Sequence, residues 1–209
     1  MSAFAFRWET RPGARGAAMG LLLAALSVSC QRQEPSALAA TFEDVSLTDQ
    51  DGAALVAAAL TDQVVLVNFM FTSCPVVCPR QTEALAQVRA ALPSPIRERV
   101  RFISASVDPD NDTPRALQQF ARAHHAAAHG WSFVRSDAEG TAKLTSRLAA
   151  FEPGTAPSPS AHGTSIYLFD RGGRLVQRYR GAPLDVSHLA RELSLLDDLK
   201  PSGARLARN

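Results

Sequence analysis

The run Val64-Val65-Leu66-Val67-Asn68-Phe69-Met70-Phe71 constrains this chain more than any other segment. It is a nearly continuous run of β-branched and apolar side chains. Such a run predicts a strand buried on both sides, of the kind found in sheets covered by helices. It stops at Thr72-Ser73-Cys74-Pro75-Val76-Val77-Cys78-Pro79. Leu85, Val88 and Leu92 then recur at helical spacing, so a helix follows, and Pro93 and Pro95 are expected to end it.

The rest of the chain continues the alternation. Residues 100–107 predict a second strand, and the loop 108–114 leads into a helix with Thr113 as N-cap and Pro114 at its first position. Leu117, Phe120 and Ala121 mark the buried face of that helix. A short strand over 131–135 follows, then a third helix carrying Leu144 and Leu148, with Ser136 and Glu139 at capping-box spacing. A Pro/Gly/Ser-rich loop over 152–160 delivers Ala161-His162-Gly163. Strands over 165–169 and 175–179 flank Asp170-Arg171-Gly172-Gly173 as a hairpin, and a last helix runs from about 187 to 199 on Leu189, Leu193 and Leu196. Ahead of the central strand, Phe42, Val45 and Leu47 alternate before a turn at Asp51-Gly52. The order is β-α-β-α-β-α, then a β-hairpin, then α. The crossovers imply parallel strands, and the hairpin adds an antiparallel part. The expectation is an α/β protein with a mixed central sheet flanked by helices. A cysteine pair at the end of the first central strand, opening a helix, makes it thioredoxin-like.

The N-terminus reads as an export signal. Arg7, Arg11 and Arg15 precede a nearly all small or apolar stretch over 17–28. That stretch is shorter than the roughly 20 apolar residues a bilayer span needs, so a secretory signal fits better. It ends at Leu26-Ser27-Val28-Ser29-Cys30, which resembles part of a lipoprotein cleavage motif, with Ser27 where Leu or Val is usual. Two readings stay open: Cys30 is lipidated, or it is incidental to a cleaved signal or short anchor. The partition is then 1–30 signal peptide or lipoprotein signal, 31–40 linker, 41–200 folded domain and 201–209 tail. The formal net charge of +2 comes from the leader, since the rest of the chain holds equal numbers of acidic and basic residues. That balance offers no electrostatic footprint for nucleic acid.

There are three cysteines, and if Cys30 belongs to the leader, Cys74 and Cys78 remain. One local pair is no disulfide framework for a domain of this size, so it marks a site. Positions i and i+4 of a helix share a face, so both sulfurs can point at one metal ion or close a disulfide. A helix N-terminus also favours thiolate. Two thiolates suit Cu(I), Zn(II) or iron. Taken alone, an exported pair is more readily a disulfide than a metal site. His162 shifts the balance. Its loop precedes a strand that a thioredoxin-like fold brings beside the cysteines, completing a Cys₂His set for trigonal Cu(I), or for Cu(II) with one more weak ligand. Structural zinc would need a fourth protein ligand, and none is evident. Asp108 and Asp112 are read as organising their loop and capping its helix rather than as neighbours of the metal. His124, His125 and His129 are read as a solvated helix end rather than an auxiliary copper site. His188 starts a helix with no evident partner.

The segment Phe69-Met70-Phe71-Thr72-Ser73-Cys74-Pro75-Val76-Val77-Cys78-Pro79 resembles the signature of the Sco/SenC copper-chaperone family. So do Ser106-Val107-Asp108-Pro109-Asp110-Asn111-Asp112-Thr113-Pro114 and the His162 loop leading into Ser165-Ile166-Tyr167-Leu168-Phe169-Asp170. The resemblance covers about residues 41–200, with the motifs in family order. It implies a thioredoxin fold attached to the membrane on its periplasmic face, with copper held by Cys74, Cys78 and His162. It further implies assembly of the dinuclear copper site of cytochrome c oxidase, with that site's subunit and other copper chaperones as partners. Two departures stand out. Val76 occupies a position where the family often has Asp, and the leader is lipoprotein-like where many members carry a transmembrane helix. Two other activities use the same cysteines as catalytic groups. A thiol–disulfide oxidoreductase acting on a partner's copper ligands needs only Cys74 and Cys78. A thiol peroxidase would draw on Thr72 and Arg80.

Overall fold

The computed structural model describes residues 36–151 and 153–199. The segment read as an export leader (with Cys30), the residues 31–35 and the tail 201–209 lie outside the described residues. No helix among the described residues is long and apolar enough to cross a membrane.

Among the described residues seven strands form one sheet: β1 (Leu47–Asp49), β2 (Ala54–Leu55), β3 (Val64–Met70), β4 (Val100–Ser106), β5 (Trp131–Arg135), β6 (Ser165–Phe169) and β7 (Leu175–Arg180). Their order is β2-β1-β5-β4-β3-β6-β7. The middle strands β3, β4 and β5 run parallel, because helical crossovers join them. The hairpin strands β6 and β7 add on antiparallel, as do β1 and β2 at the other edge. The mixed sheet expected from the sequence is present.

Strand β3 explains why its run is apolar throughout. It pairs with β4 over its whole length, from Val64↔Val100 to Met70↔Ser106, and on its other edge with β6. All seven of its residues are buried. Its side chains alternate between two cores. Val64, Leu66 and Met70 pack with Leu85 and Val88 of α2 (Val77–Ala91), Leu117 of α4 (Pro114–Ala123) and Leu189 and Leu193 of α6 (Val186–Asp198). Val65, Val67 and Phe69 pack with Leu38 and Phe42 of α1 (Ala37–Phe42) and Leu144 of α5 (Ala138–Arg147). Helices thus cover both faces.

Four local expectations change. Residues 37–40, read as linker, belong to α1, which Ser36 caps through the Ala39 N–H, and Leu38 is buried. So short an Ala-rich stretch has no readable period; it is helical because its apolar face has a sheet to cover. Pro95 stands in the first turn of an additional helix, α3 (Ser94–Arg99), where its missing N–H costs nothing, so it starts a helix as well as following one. Asp137 rather than Ser136 caps α5, since the Ser136 hydroxyl donates to the Ser46 carbonyl at 2.8 Å. Helix α6 begins one residue early because Asp185 caps it.

The β6–β7 turn anchors α1. The Gly173 carbonyl accepts from Leu38 N–H at 2.8 Å. Gly173 has φ +72°, and a Cβ there would stand 2.5 Å from Ser36 Oγ. Gly173→Ala is therefore expected to lower stability by at least about 1 kcal/mol, the cost of forcing an L-residue left-handed. Hydrogen exchange in α1 should rise with it. Unchanged urea unfolding and unchanged α1 exchange would show that this turn does not hold the helix.

Candidate metal centre

The loop 71–76 leaves the C-terminal end of β3 and enters α2. The sequence reading put both cysteines on one helical face, and the structure corrects this. Helix α2 starts at Val77, so Cys78 lies in its first turn while Cys74 sits in the preceding turn, its N–H donating to Phe71 O at 3.2 Å. Val76, the N-cap residue, has no side-chain acceptor to offer. The Cys74 sulfur takes that place, accepting from the Cys78 N–H at 3.3 Å. Cys74 thus lies outside the helix, but the helix end draws its sulfur to Cys78 all the same.

The two thiols differ in ionisation. Partial burial opposes charge on Cys74, but donation from the Cys78 N–H and thiol and from the N–H groups of Val76 and Val77 outweighs it, leaving the pKa below the usual value. Cys78 is 2% exposed. Burial pushes its thiol up to about 12, the Phe71 N–H offsets only part of this, and the nearby Cys74 and Asp112 add to the rise. Cys74, partly exposed, is the more readily ionised of the pair, and Cys78 holds its proton.

His162 follows a short 3₁₀ turn, Pro159–Ala161, and forms an isolated antiparallel bridge with Phe151. Its Nδ1 is 2.8 Å from the Gly163 carbonyl, which can only accept, so Nδ1 carries the proton and Nε2 presents its lone pair. That Nε2 is 3.9 Å from Cys78 Sγ. Burial lowers the His162 pKa, against the opposing pull of the Gly163 carbonyl, so the ring stays neutral. Phe71 packs edge-on against it at 5.7 Å between centroids. The fold thus brings Cys74, Cys78 and His162 into one neighbourhood. Among the described residues, no three His, Cys, Asp or Glu side chains converge as a ready-made metal cage. The set is open, with the Cys78 thiol 3.9 Å from the His162 Nε2 that can accept its proton.

Asp112 does more than its loop required. It is fully buried, and its carboxylate accepts from Thr72 N–H at 3.0 Å, Thr72 Oγ1 at 2.5 Å and Ser106 Oγ at 2.5 Å. It therefore pins the segment just before Cys74, while Thr113 caps α4 as expected. Asp108 accepts from Asn111 Nδ2 and stays within its own loop. The Thr72 hydroxyl is committed to Asp112, and Arg80 is exposed on the outer side of α2. His124 pairs with Glu83 at 3.0 Å, His125 and His129 are exposed, and His188 packs edge-on against Tyr179. Val76 is 48% exposed and contributes only its N–H to Cys74. Two buried polar residues escaped the sequence reading, Asn68 and Gln81, which bond to each other. The signal for Asn68 was there: it interrupts an otherwise apolar strand.

Comparisons with known proteins agree with one another. The family model SCO1/SenC matches residues 31–196. A SCO1 protein homolog of Bacillus subtilis is 29% identical over 80% of this chain and 88% of its own length. The structure of Bradyrhizobium japonicum ScoI with copper bound is 26% identical, with a TM-score of 0.61, covering 73% of this chain and 96% of that one. The structure of BsSco, a member of the Sco family of cytochrome c oxidase assembly proteins in which a disulfide switch is identified, is 26% identical with a TM-score of 0.62, covering 74% of this chain and 92% of that one.

Alkylation of the reduced protein should separate the two thiols. Cys74 is expected to react first with iodoacetamide, at a rate that rises with pH through a midpoint below that of free cysteine. Cys78 should resist until strongly alkaline pH. Equal rates at both cysteines, read by mass spectrometry, would contradict this asymmetry.

Proposed function

Because the chain belongs to the SCO1/SenC family, we propose that it carries copper on Cys74, Cys78 and His162 and delivers it to the dinuclear copper site of cytochrome c oxidase. The observation that carries this reading is the 3.9 Å between Cys78 Sγ and His162 Nε2. With metal–sulfur and metal–nitrogen bonds of about 2.3 and 2.0 Å, two donors to one ion stand roughly 3.5 Å apart at a tetrahedral angle and roughly 4.3 Å apart in line. The observed separation falls inside that range. Loss of the Cys78 proton then frees both the sulfur and the Nε2 lone pair for one ion. Two thiolates and an imidazole suit Cu(I), and Cu(II) with one further weak ligand. The donor set therefore fits the cargo.

The roles of the three groups differ. Cys74 is ionised most readily and is reachable from solvent, so it receives and releases the ion. Cys78 must lose a firmly held proton on loading, so affinity falls as pH falls. His162 needs no deprotonation, because burial keeps it neutral. Val76, in place of an acid, leaves that side of the loop uncharged. The partner is the copper-site subunit of the oxidase, with other copper chaperones upstream. The domain works on the periplasmic face of the membrane, held there through its N-terminus.

A second reading draws on the two adjacent free thiols and the low pKa of Cys74. On it the chain is a thiol–disulfide oxidoreductase that keeps a partner's copper ligands reduced. Cys74 attacks the partner disulfide and Cys78 resolves the mixed disulfide, forming the Cys74–Cys78 bond and releasing the reduced partner. Loss of Thr72 to Asp112 removes the support for a peroxidase.

Anaerobic titration of the reduced protein should show one Cu(I) per chain. His162→Ala should weaken binding at least about tenfold, since even outer-shell changes at metal sites cost that much. Loss of either cysteine should weaken it further. Sub-stoichiometric binding, or affinity indifferent to His162→Ala, would sink the three-ligand reading. Retained disulfide reductase activity in His162→Ala would favour the second. For attachment, mass spectrometry of the mature protein is expected to find a lipid on an N-terminal Cys30. A free, unmodified Cys30 would exclude the lipid anchor.

A further inference from the structure

Gln81 lies on the buried face of α2, one turn beyond Cys78, and is 4% exposed. Every hydrogen-bonding position of its carboxamide that faces the protein is used. Oε1 accepts from Asn68 Nδ2 of β3 at 3.1 Å. Nε2 donates to the Thr164 carbonyl at 2.7 Å and to the Gly181 carbonyl at 3.2 Å. Two carbonyls demand two N–H donors, so the amide has one orientation. Behind it a chain of side chains crosses the sheet. Ser104 Oγ of β4 donates to Asn68 Oδ1 at 2.8 Å, and Trp131 Nε1 of β5 donates to Ser104 Oγ at 3.0 Å. Such a fully satisfied network holds its members rigidly.

The near end of this network reaches the His162 loop. Thr164 is two residues past His162, and Gly163 N–H, between them, donates to Ala150 O at 2.7 Å. Gly181 is shaped to the same contact, since a Cβ there would collide with both Gln81 Nε2 and Thr164 O. The His162 loop is therefore gripped on one side by Ala150 and Phe151 and on the other by Gln81. Cys78 and Gln81 share the first turns of α2, so the length of one side chain sets how far the histidine loop stands from the cysteine helix.

We infer that Gln81 is a positioning residue for the metal centre, holding His162 within ligating distance of Cys78 by bracketing Thr164 and Gly181. The inference rests on the reading of His162 as a copper ligand. It acts through geometry alone, since Gln81 touches neither thiol nor imidazole among its hydrogen bonds. Gln81→Met keeps length and volume and removes the hydrogen bonds. Gln81→Glu keeps the shape and sets carboxyl oxygens against two carbonyl oxygens.

A double-mutant cycle on the full chain tests it: wild type, Gln81→Met, His162→Ala and the double variant, each reduced and titrated with Cu(I) against a competing chelator. Gln81→Met is expected to weaken binding about tenfold, as supporting residues at metal sites do. In the His162→Ala background the same change should cost nothing further. In the metal-free protein, hydrogen exchange at the 163–164 amides should rise about tenfold in Gln81→Met, while thermal unfolding remains cooperative. Equal losses of affinity in both backgrounds would overturn the inference, because Gln81 would then be acting on stability at large. So would unchanged exchange in the loop. If His162→Ala alone leaves affinity intact, the copper reading fails, and the exchange measurement still decides whether Gln81 fixes the loop. Should Gln81→Met not fold, Gln81→Glu enters the same cycle with the same outcomes.

Discussion

Strand β3 has to be satisfied in every direction at once. Its backbone bonds to β4 on one edge and β6 on the other, and its side chains fill a core on each face. A strand of this kind cannot exist without neighbours on all sides, which forces helices onto both faces and strands onto both edges. It also forces the chain to leave the sheet at one point, after Met70, where pairing stops. The candidate metal centre is built at that point. Loop 71–76, the start of α2 and the loop before β6 meet there because β4 and β6 flank the strand that ends there.

The chemistry of the pair follows from where each sulfur sits relative to the start of α2. Each accepts from backbone N–H groups, Cys74 from Val76, Val77 and Cys78 and Cys78 from Phe71, yet one thiol lies below its ordinary range and the other far above it. Burial decides the difference. Cys74, partly exposed, gains from the helix end more than it loses to desolvation, while Cys78 is enclosed by the core of which it forms part. One readily ionised thiol beside one reluctant thiol serves ion transfer and disulfide exchange alike, so the cysteines alone do not choose between them. The imidazole tilts the proposed reading toward metal, because its neutral nitrogen, 3.9 Å from the inner sulfur, adds a third donor to the two thiols.

Buried polar groups do the detailed placement. Asp112 ties the segment before Cys74 to the loop after β4, and Gln81 ties the helix after Cys78 to the strand after His162. Each is expensive to bury without partners, and each has them in full. Apolar packing would tolerate small slips between these segments. Hydrogen bonds to fixed backbone groups do not.

Much of this was legible in the chain. Apolar periodicity determined the strands and long helices, because burial of a periodic face is a local property written residue by residue. The spacing of Cys74, Cys78 and His162, in the company of the three motifs, pointed to the site for the same reason. Other features depended on residues far apart. The short helix α1 exists because Gly173 and the sheet receive it, and the cap on α5 went to Asp137 because Ser136 found Ser46. The sequence placed the cysteines on one helical face, but the helix starts at Val77, and the Cys74 sulfur caps it from outside. Gln81 looks like any polar residue on a helix until Asn68, Thr164 and Gly181 surround it. Residue types and their order determined which groups the chain offers to the candidate site. Only the tertiary structure decided their protonation and their separation, since both are set by neighbours that the sequence holds tens of residues away.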